Sequence, residues 1–171
     1  MSVVTVPFDV PIRKSDGSHI TLEEHRGKVL LIVNVASECG NTPQYEGLEQ
    51  LQREYGERGL QVLAFPCNQF GEQEPGTDEQ IQEFCRTEFG VSFPVFSKID
   101  VNGDNRHPLY AALTGAPDAA GTAGDVQWNF EKFLVGADGT VAARVRPKVQ
   151  PIDPEFVSVL ETVLGGEEPP A

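Results

Sequence analysis

The chain has 171 residues, with 13 Lys+Arg against 26 Asp+Glu and a formal net charge of −13. So acidic a surface argues against nucleic acid and against anionic lipid, since both need clustered basic residues. A hydrophobic fraction of 39% with 17 Gly and 13 Pro fits one globular α/β domain over residues 1–171, and excludes a disordered chain or a fibre.

Residues Met1–Pro11 lack a basic leader and are interrupted by Pro7, Asp9 and Pro11. The longest apolar run, Val29–Ala36, is far below the roughly 20 residues of a membrane span, so neither a targeting nor a membrane segment is expected. Val3–Ile20 reads as a hairpin turning at Ser15-Asp16-Gly17. Thr21-Leu22-Glu23-Glu24 has the pattern of a capped helical turn ending near Gly27. Lys28–Ala36 is almost continuous Val, Ile and Leu, as expected of a central parallel strand covered on both faces. It runs into a turn carrying Cys39, after which Thr42-Pro43 reads as an N-cap and a first helical residue. The free N–H groups and dipole of that helix start favour an anion, which biases a thiol there toward its nucleophilic form. The helix continues to about Arg58, with Tyr45, Leu48, Leu51 and Tyr55 on one face and Gly59 closing it.

Leu60–Phe65 is a second buried strand, and Cys67–Gly76 is a polar loop. Thr77 and Gln80 predict a capping box on the next helix, whose apolar side carries Ile81, Phe84 and Cys85 and which fades by Gly90. Phe93–Ile99 predicts a third strand, His107–Leu113 a short helix, and the Gly/Ala/Pro-rich Thr114–Asp125 a flexible surface loop. Lys132–Val135 and Thr140–Val145 form a hairpin around Ala137-Asp138-Gly139. Asp153-Pro154 caps a last helix striped by Phe156, Val157, Leu160, Val163 and Leu164; Gly165-Gly166 stops it, and the tail Glu167–Ala171 is expected to fray. Strands alternating with helices, then a hairpin, make a thioredoxin-like α/β layout: a central mixed sheet flanked by helices, preceded by an N-terminal β-hairpin. Cys39 falls at the end of the first core strand, where that fold carries its chemistry.

Three cysteines without a dense framework, Cys39, Cys67 and Cys85, fit a reducing cytoplasm. The histidines (His19, His25, His107) are scattered, so no metal site is expected, and no glycine fingerprint for phosphate follows a strand. Asn41 and Thr42 after Cys39-Gly40 exclude a CxxC dithiol, and Pro43 excludes the CxxxC of a copper carrier. Ala36 and Ile32 stand where a peroxiredoxin would have threonine and proline.

NVASECGNTPQY around Cys39, FPCNQFGEQEPG from Phe65 to Gly76, and WNFEKFLVG from Trp128 to Gly136 resemble, in this order, the signature segments of glutathione peroxidases. The KVLLIVN strand, FPVFSKIDVNG and His107-Pro108-Leu109-Tyr110 match as well, so the resemblance spans Ile20 to Pro151. It implies a thioredoxin-like fold and a peroxidase whose reactive residue, selenocysteine in some members and cysteine in others, matches Cys39. Gln73, Trp128 and Asn129 match the family's glutamine, tryptophan and asparagine. Each offers an uncharged N–H donor that can hold a thiolate and stabilise a departing alkoxide.

Cys85 matches the second cysteine with which non-selenium members resolve the sulfenic acid into an intramolecular disulfide. Those members are reduced by thioredoxin rather than glutathione. The resemblance thus implies a hydroperoxide substrate, thioredoxin as reductant and no bound cofactor. Glutathione as reductant, and a peroxide sensor that passes its disulfide to a partner, are the alternatives. An acidic surface offers little to glutathione carboxylates, which favours the protein reductant. A Cys85 buried on its helix would require Thr77–Phe89 to unwind during turnover. Cys67 is read as structural. Glu38 and Asn41 depart from the family's usual lysine and apolar residue, and Glu38 places an anion near the thiol. The Thr114–Asp125 connection lacks the insertion of family tetramers, which implies a monomer.

Overall fold

The computed structural model describes residues 3–166. At the amino end, β1 (Ile12–Arg13) and β2 (His19–Ile20) pair antiparallel across the Ser15-Asp16-Gly17 turn. The expected hairpin is shorter than Val3–Ile20 because the first residues pair elsewhere: Thr5 bridges Thr140, and Val6 N–H donates to Gly139 O at 2.9 Å. Leu22–His25 is a single 3-10 turn that buries Leu22, and Thr21 gives it no side-chain cap.

β3 (Val29–Val35) is buried at every residue, as a run of branched apolar side chains interrupted only by Asn34 requires. It leads through the Cys39 turn into α1 (Gln44–Tyr55), then β4 (Leu60–Pro66) and α2 (Asp78–Phe89). α3 (Pro108–Leu113), β5 (Lys132–Val135), β6 (Val141–Val145) and α4 (Pro154–Leu164) complete the chain. The sheet runs β4-β3-β5-β6, with β3 parallel to β4 and the pairs β3–β5 and β5–β6 antiparallel. It is therefore mixed. Alternation along β3 divides the core: Val29, Leu31, Val33 and Val35 pack with α1, α2 and α4, while Leu30 and Ile32 pack with α3 on the other face.

Four local expectations are corrected. Phe93–Ile99 does not form a strand; only Val95 bridges Ala64 and Phe96 bridges Lys14. Pro94 has no N–H to give, so the segment touches the β4 edge only at intervals, through Ala64 N–H to Pro94 O, Phe96 N–H to Ala64 O and Ile99 N–H to Pro66 O. Helix α1 begins at Gln44, with Pro43 in the cap position and no side-chain cap. Asp153 likewise makes no cap on α4, because its carboxylate accepts from Gln150 N–H at 3.1 Å. Thr114–Asp125 is tied down rather than loose. Arg144, buried and 2.7 Å from the Glu131 carboxylate, donates to the carbonyls of Ala116 and Gly124, and Arg146 reaches Asp118 and Thr122. The tail Glu167–Ala171 lies outside the described residues. Among the described residues no helix is long and apolar enough to cross a membrane.

Candidate active site

Three connections meet at one end of the sheet. β3 and β4 are parallel, with Val35 opposite Pro66, so the Cys39 turn and the 67–76 loop leave from neighbouring carboxyl ends. β5 runs the other way, with Lys132 opposite Val33, which brings the Trp128–Asn129 segment to the same end. Ligands in open α/β sheets bind beyond the carboxyl ends of the strands.

Cys39 is nearly enclosed, at 9% exposure. Its N–H donates to Thr42 Oγ1 at 2.9 Å, and the Thr42 hydroxyl donates to Ala36 O at 2.8 Å. Thr42 thus closes the turn on itself instead of capping α1. Successive turn bonds from Gln44, Tyr45 and Glu46 N–H to Asn41, Thr42 and Pro43 carbonyls already occupy the amides a cap would serve. The Asn41 N–H donates to Cys39 Sγ at 3.2 Å, so the sulfur is itself an acceptor within the turn.

The donor residues are linked to this turn. Asn129, fully buried, donates from Nδ2 to Gln73 Oε1 at 3.0 Å, and Asn41 Nδ2 donates to Asn129 O at 3.4 Å. The Glu38 N–H donates to Gln73 O at 3.0 Å, joining the 67–76 loop to the cysteine turn. With its oxygen occupied by Asn129, the Gln73 amide turns its NH₂ away from that bond. Trp128 is 38% exposed and tilts against Phe70, ring centroids 5.6 Å apart. Gly71, at φ +68°, comes so close that a Cβ there would lie 3.2 Å from the indole, so only glycine lets the loop pass under it. Phe130 holds φ +69°, an uncommon conformation for an aromatic residue. Its N–H donates to Asn34 O at 2.7 Å, and its ring meets Tyr45 edge-on at 5.3 Å. The surroundings impose this conformation, which fixes the aim of the adjoining Trp128 and Asn129.

Cys85 is not brought into that network. It lies on α2 at 2% exposure, in the same hydrophobic cluster as Cys39, and all three cysteines are free thiols. Burial pushes the Cys85 thiol up to about 11, with the Tyr45 hydroxyl beside it opposing the shift and the Glu74 charge adding to it. Cys67 is also buried, its thiol raised to about 11 by desolvation, and it donates to Gln69 Oε1 at 3.4 Å. The Glu74 carboxyl is raised to about 7, again chiefly by burial.

Residues 8–114 match the family model described as glutathione peroxidase. The chain belongs to the glutathione peroxidase family. It carries cysteine at the reactive position and is a thiol peroxidase acting on hydroperoxides. It is 49% identical to a protein of Escherichia coli named thioredoxin/glutathione peroxidase BtuE, over 90% of this chain and 94% of that one. It is 53% identical to a Synechocystis protein named hydroperoxy fatty acid reductase gpx1, over 87% of this chain and 90% of that one. The crystal structure of T. cruzi GPX1 superposes with a TM-score of 0.73 at 34% identity, covering 92% of this chain and 95% of that one.

In this peroxidase, two residues inside the matched segments, Asn34 and Lys132, matter to the site although the resemblance gives them no role. Asn34 is a fully buried amide in an apolar strand, and such a group must be bonded. Its Nδ2 donates to Trp128 O at 3.1 Å, and its Oδ1 accepts from Glu131 N–H at 3.2 Å, so it anchors the segment on both sides of Asn129. The polar break in VLLIVNV was the available signal. Lys132 is the other. Its ammonium donates to Gln44 Oε1 at 2.7 Å and to Phe130 O, tying the first residue of α1 to the residue after Asn129. Desolvation lowers it to about 7.

Proposed function

We propose that the peroxidase works through Cys39 and Cys85 and is restored by thioredoxin. The Cys39 thiolate attacks the O–O bond of a hydroperoxide, taking one oxygen as a sulfenic acid while water or an alcohol departs. Gln73, Trp128 and Asn129 supply the uncharged donors that hold the thiolate and receive the leaving oxygen's charge. Cys85 then displaces the sulfenic hydroxyl as water, and thioredoxin reduces the resulting Cys39–Cys85 disulfide. One domain carries the whole cycle, as a monomer in a reducing cytoplasm.

The observation that carries this reading is the bonded chain from Cys39 Sγ through Asn41 to Asn129 and Gln73. It gathers residues from three loops around one sulfur. Because Cys85 is buried on its own helix, disulfide formation requires α2 to open. The Synechocystis relative's name supports organic hydroperoxides among the substrates. The E. coli relative's name carries both thioredoxin and glutathione, so the reductant is settled by assay. Peroxide consumption is measured with a thioredoxin system, with glutathione and its reductase, and with neither. Sustained turnover with thioredoxin alone is the expected result. Equal turnover with glutathione refutes the reductant assignment, and one oxidation without turnover in either system identifies a sensor.

A further inference from the structure

The 67–76 loop carries a side chain to which the cycle just described gives no part. Glu74 is 1% exposed, and its Oε2 has no hydrogen-bond partner. Ser37 lies against it, yet the buried Ser37 hydroxyl and Glu74 Oε2 do not meet the geometry of a hydrogen bond. No ion pair among the described residues neutralises it; Lys98, the cation nearest in effect, donates to Gly76 O at 2.7 Å. A buried carboxyl left this way opposes folding, so stability does not explain it.

Its position does. Glu74, with Ser37 and Glu38 from the cysteine turn, forms one wall of a cleft of about 420 Å³, and Ile81 and Phe84 of α2 form the other. Ile81 is one helical turn before Cys85 on the same buried side of α2. The Tyr45 hydroxyl, also buried without a partner, sits beside the Cys85 sulfur. Glu74 is anchored on the Cys39 side of this cleft: its N–H donates to Asn68 Oδ1 at 2.9 Å, and Gln73 O accepts from Glu38 N–H. It therefore stays with the oxidised cysteine when α2 opens.

We propose that Glu74 is the proton acceptor that activates Cys85 for attack on oxidised Cys39. The step rests on the resolving role of Cys85 stated above. The Glu74 carboxylate takes the S–H proton, and the Cys85 sulfur donates its electron pair to the Cys39 sulfur. The Cys39 S–O bond breaks, and the hydroxide leaves with the proton as water. Cys85 is oxidised, the sulfenyl sulfur is reduced, and the carboxylate is regenerated. A thiol this buried is a poor nucleophile without such a base. The groups facing the carboxyl are Ser37 and Lys98, which favour its charged form, and Glu38, which opposes it, while Cys67, Cys85 and Tyr45 all feel its charge. With burial dominant the carboxyl ionises near pH 7, so the base becomes available as pH rises through neutrality.

The test follows disulfide formation after one equivalent of hydrogen peroxide, by the fluorescence of the single tryptophan, Trp128, with the bond confirmed by mass spectrometry. In the unaltered protein the resolution rate is expected to rise across pH 7. In Glu74→Gln it falls at least tenfold at pH 7 and rises only at the higher pH where the Cys85 thiol itself ionises. Glu74→Asp, which keeps a carboxyl, keeps the inflection near neutrality and carries the test if Glu74→Gln does not fold. A Glu74→Gln protein that resolves at the original rate and pH profile overturns the proposal, as does an unaltered protein with no inflection near pH 7. An unaltered protein that forms no Cys39–Cys85 disulfide instead overturns the two-cysteine cycle, which separates the two failures.

Discussion

Helices α1 and α2 are each 12 residues long and pack on the same face of the sheet, but they are held in different ways. α1 buries Tyr45, Leu48, Leu51 and Tyr55 together with Gln44, Gly47 and Glu49. α2 buries only Ile81 and Cys85. At about 1.5–3 kcal/mol for each large apolar side chain, the first helix is welded to the sheet and the second is not. Along its length α2 adds only the partly buried Phe84 and Phe89 and a bond from Gln82 Nε2 to Val95 O at 2.6 Å, and its ends carry much of the rest. Thr77 and Gln80 close a complete capping box, Asp78 accepts from Ser97 Oγ at 2.6 Å and Lys98 N–H at 3.0 Å, and Gly90 terminates the helix at φ +57°. Cys39, the proposed nucleophile, thus precedes an element that stays in place, while its proposed partner rides on one that can open locally at modest free-energy cost. The contrast fits a cycle in which one sulfur waits and the other travels.

Five substitutions test this contrast. Cys39→Ser removes the stationary sulfur, and peroxide reduction is expected to vanish in the thioredoxin-coupled assay. Cys85→Ser removes the travelling one: thioredoxin-driven turnover falls by roughly 10² or more, while one equivalent of peroxide is still consumed, trapping a sulfenic acid detectable by mass spectrometry. Asn129→Ala deletes a donor and frees the Gln73 amide it holds, and the bimolecular rate with peroxide is expected to fall about 10²-fold in stopped flow.

Thr77→Ala acts on the moving helix alone. Losing the cap costs about 1 kcal/mol, so the open population of α2 rises about fivefold. Amide exchange should quicken by that factor across Asp78–Phe89 and not in Gln44–Tyr55, and disulfide formation should accelerate with it. The last change leaves the chemistry alone and tests the fixed side. Lys132, ordinarily near 10.5, is held near 7 by burial, so between those values the unfolded chain binds a proton that the folded chain does not. Stability therefore rises with pH above about 7, and urea midpoints measured from pH 7 to 8.5, below the range where the buried thiols titrate, should lose that slope in Lys132→Met.

Much of this arrangement could be read along the chain. The strand ahead of Cys39, the capping box at Thr77 and the apolar face of α1 follow from periodicity and from which residues satisfy helix ends, both properties of a few adjacent residues. The same local reasoning misassigned Thr42, because a hydroxyl next to a proline has two nearby uses and only the closed turn selects between them. It also extended Phe93–Ile99 into a strand, although strand identity depends on a partner edge. Thr114–Asp125 read as loose because its composition carries no sign of Arg144 and Arg146, which reach it from β6 and the residue just beyond.

By itself the sequence determined the central strand, the position of the thiol before a helix, and, through three motifs, the family and the residues that match its site. Only the tertiary structure decided that Asn129 bonds Gln73 across 56 positions, that Asn34 secures Trp128 across 94, and that Glu74 is buried without a partner beside the helix that carries Cys85. The division has a simple cause. Hydrophobic period and helix capping are set within a turn or two of chain, whereas the partner of a buried polar group is whichever distant loop the sheet brings to the same end.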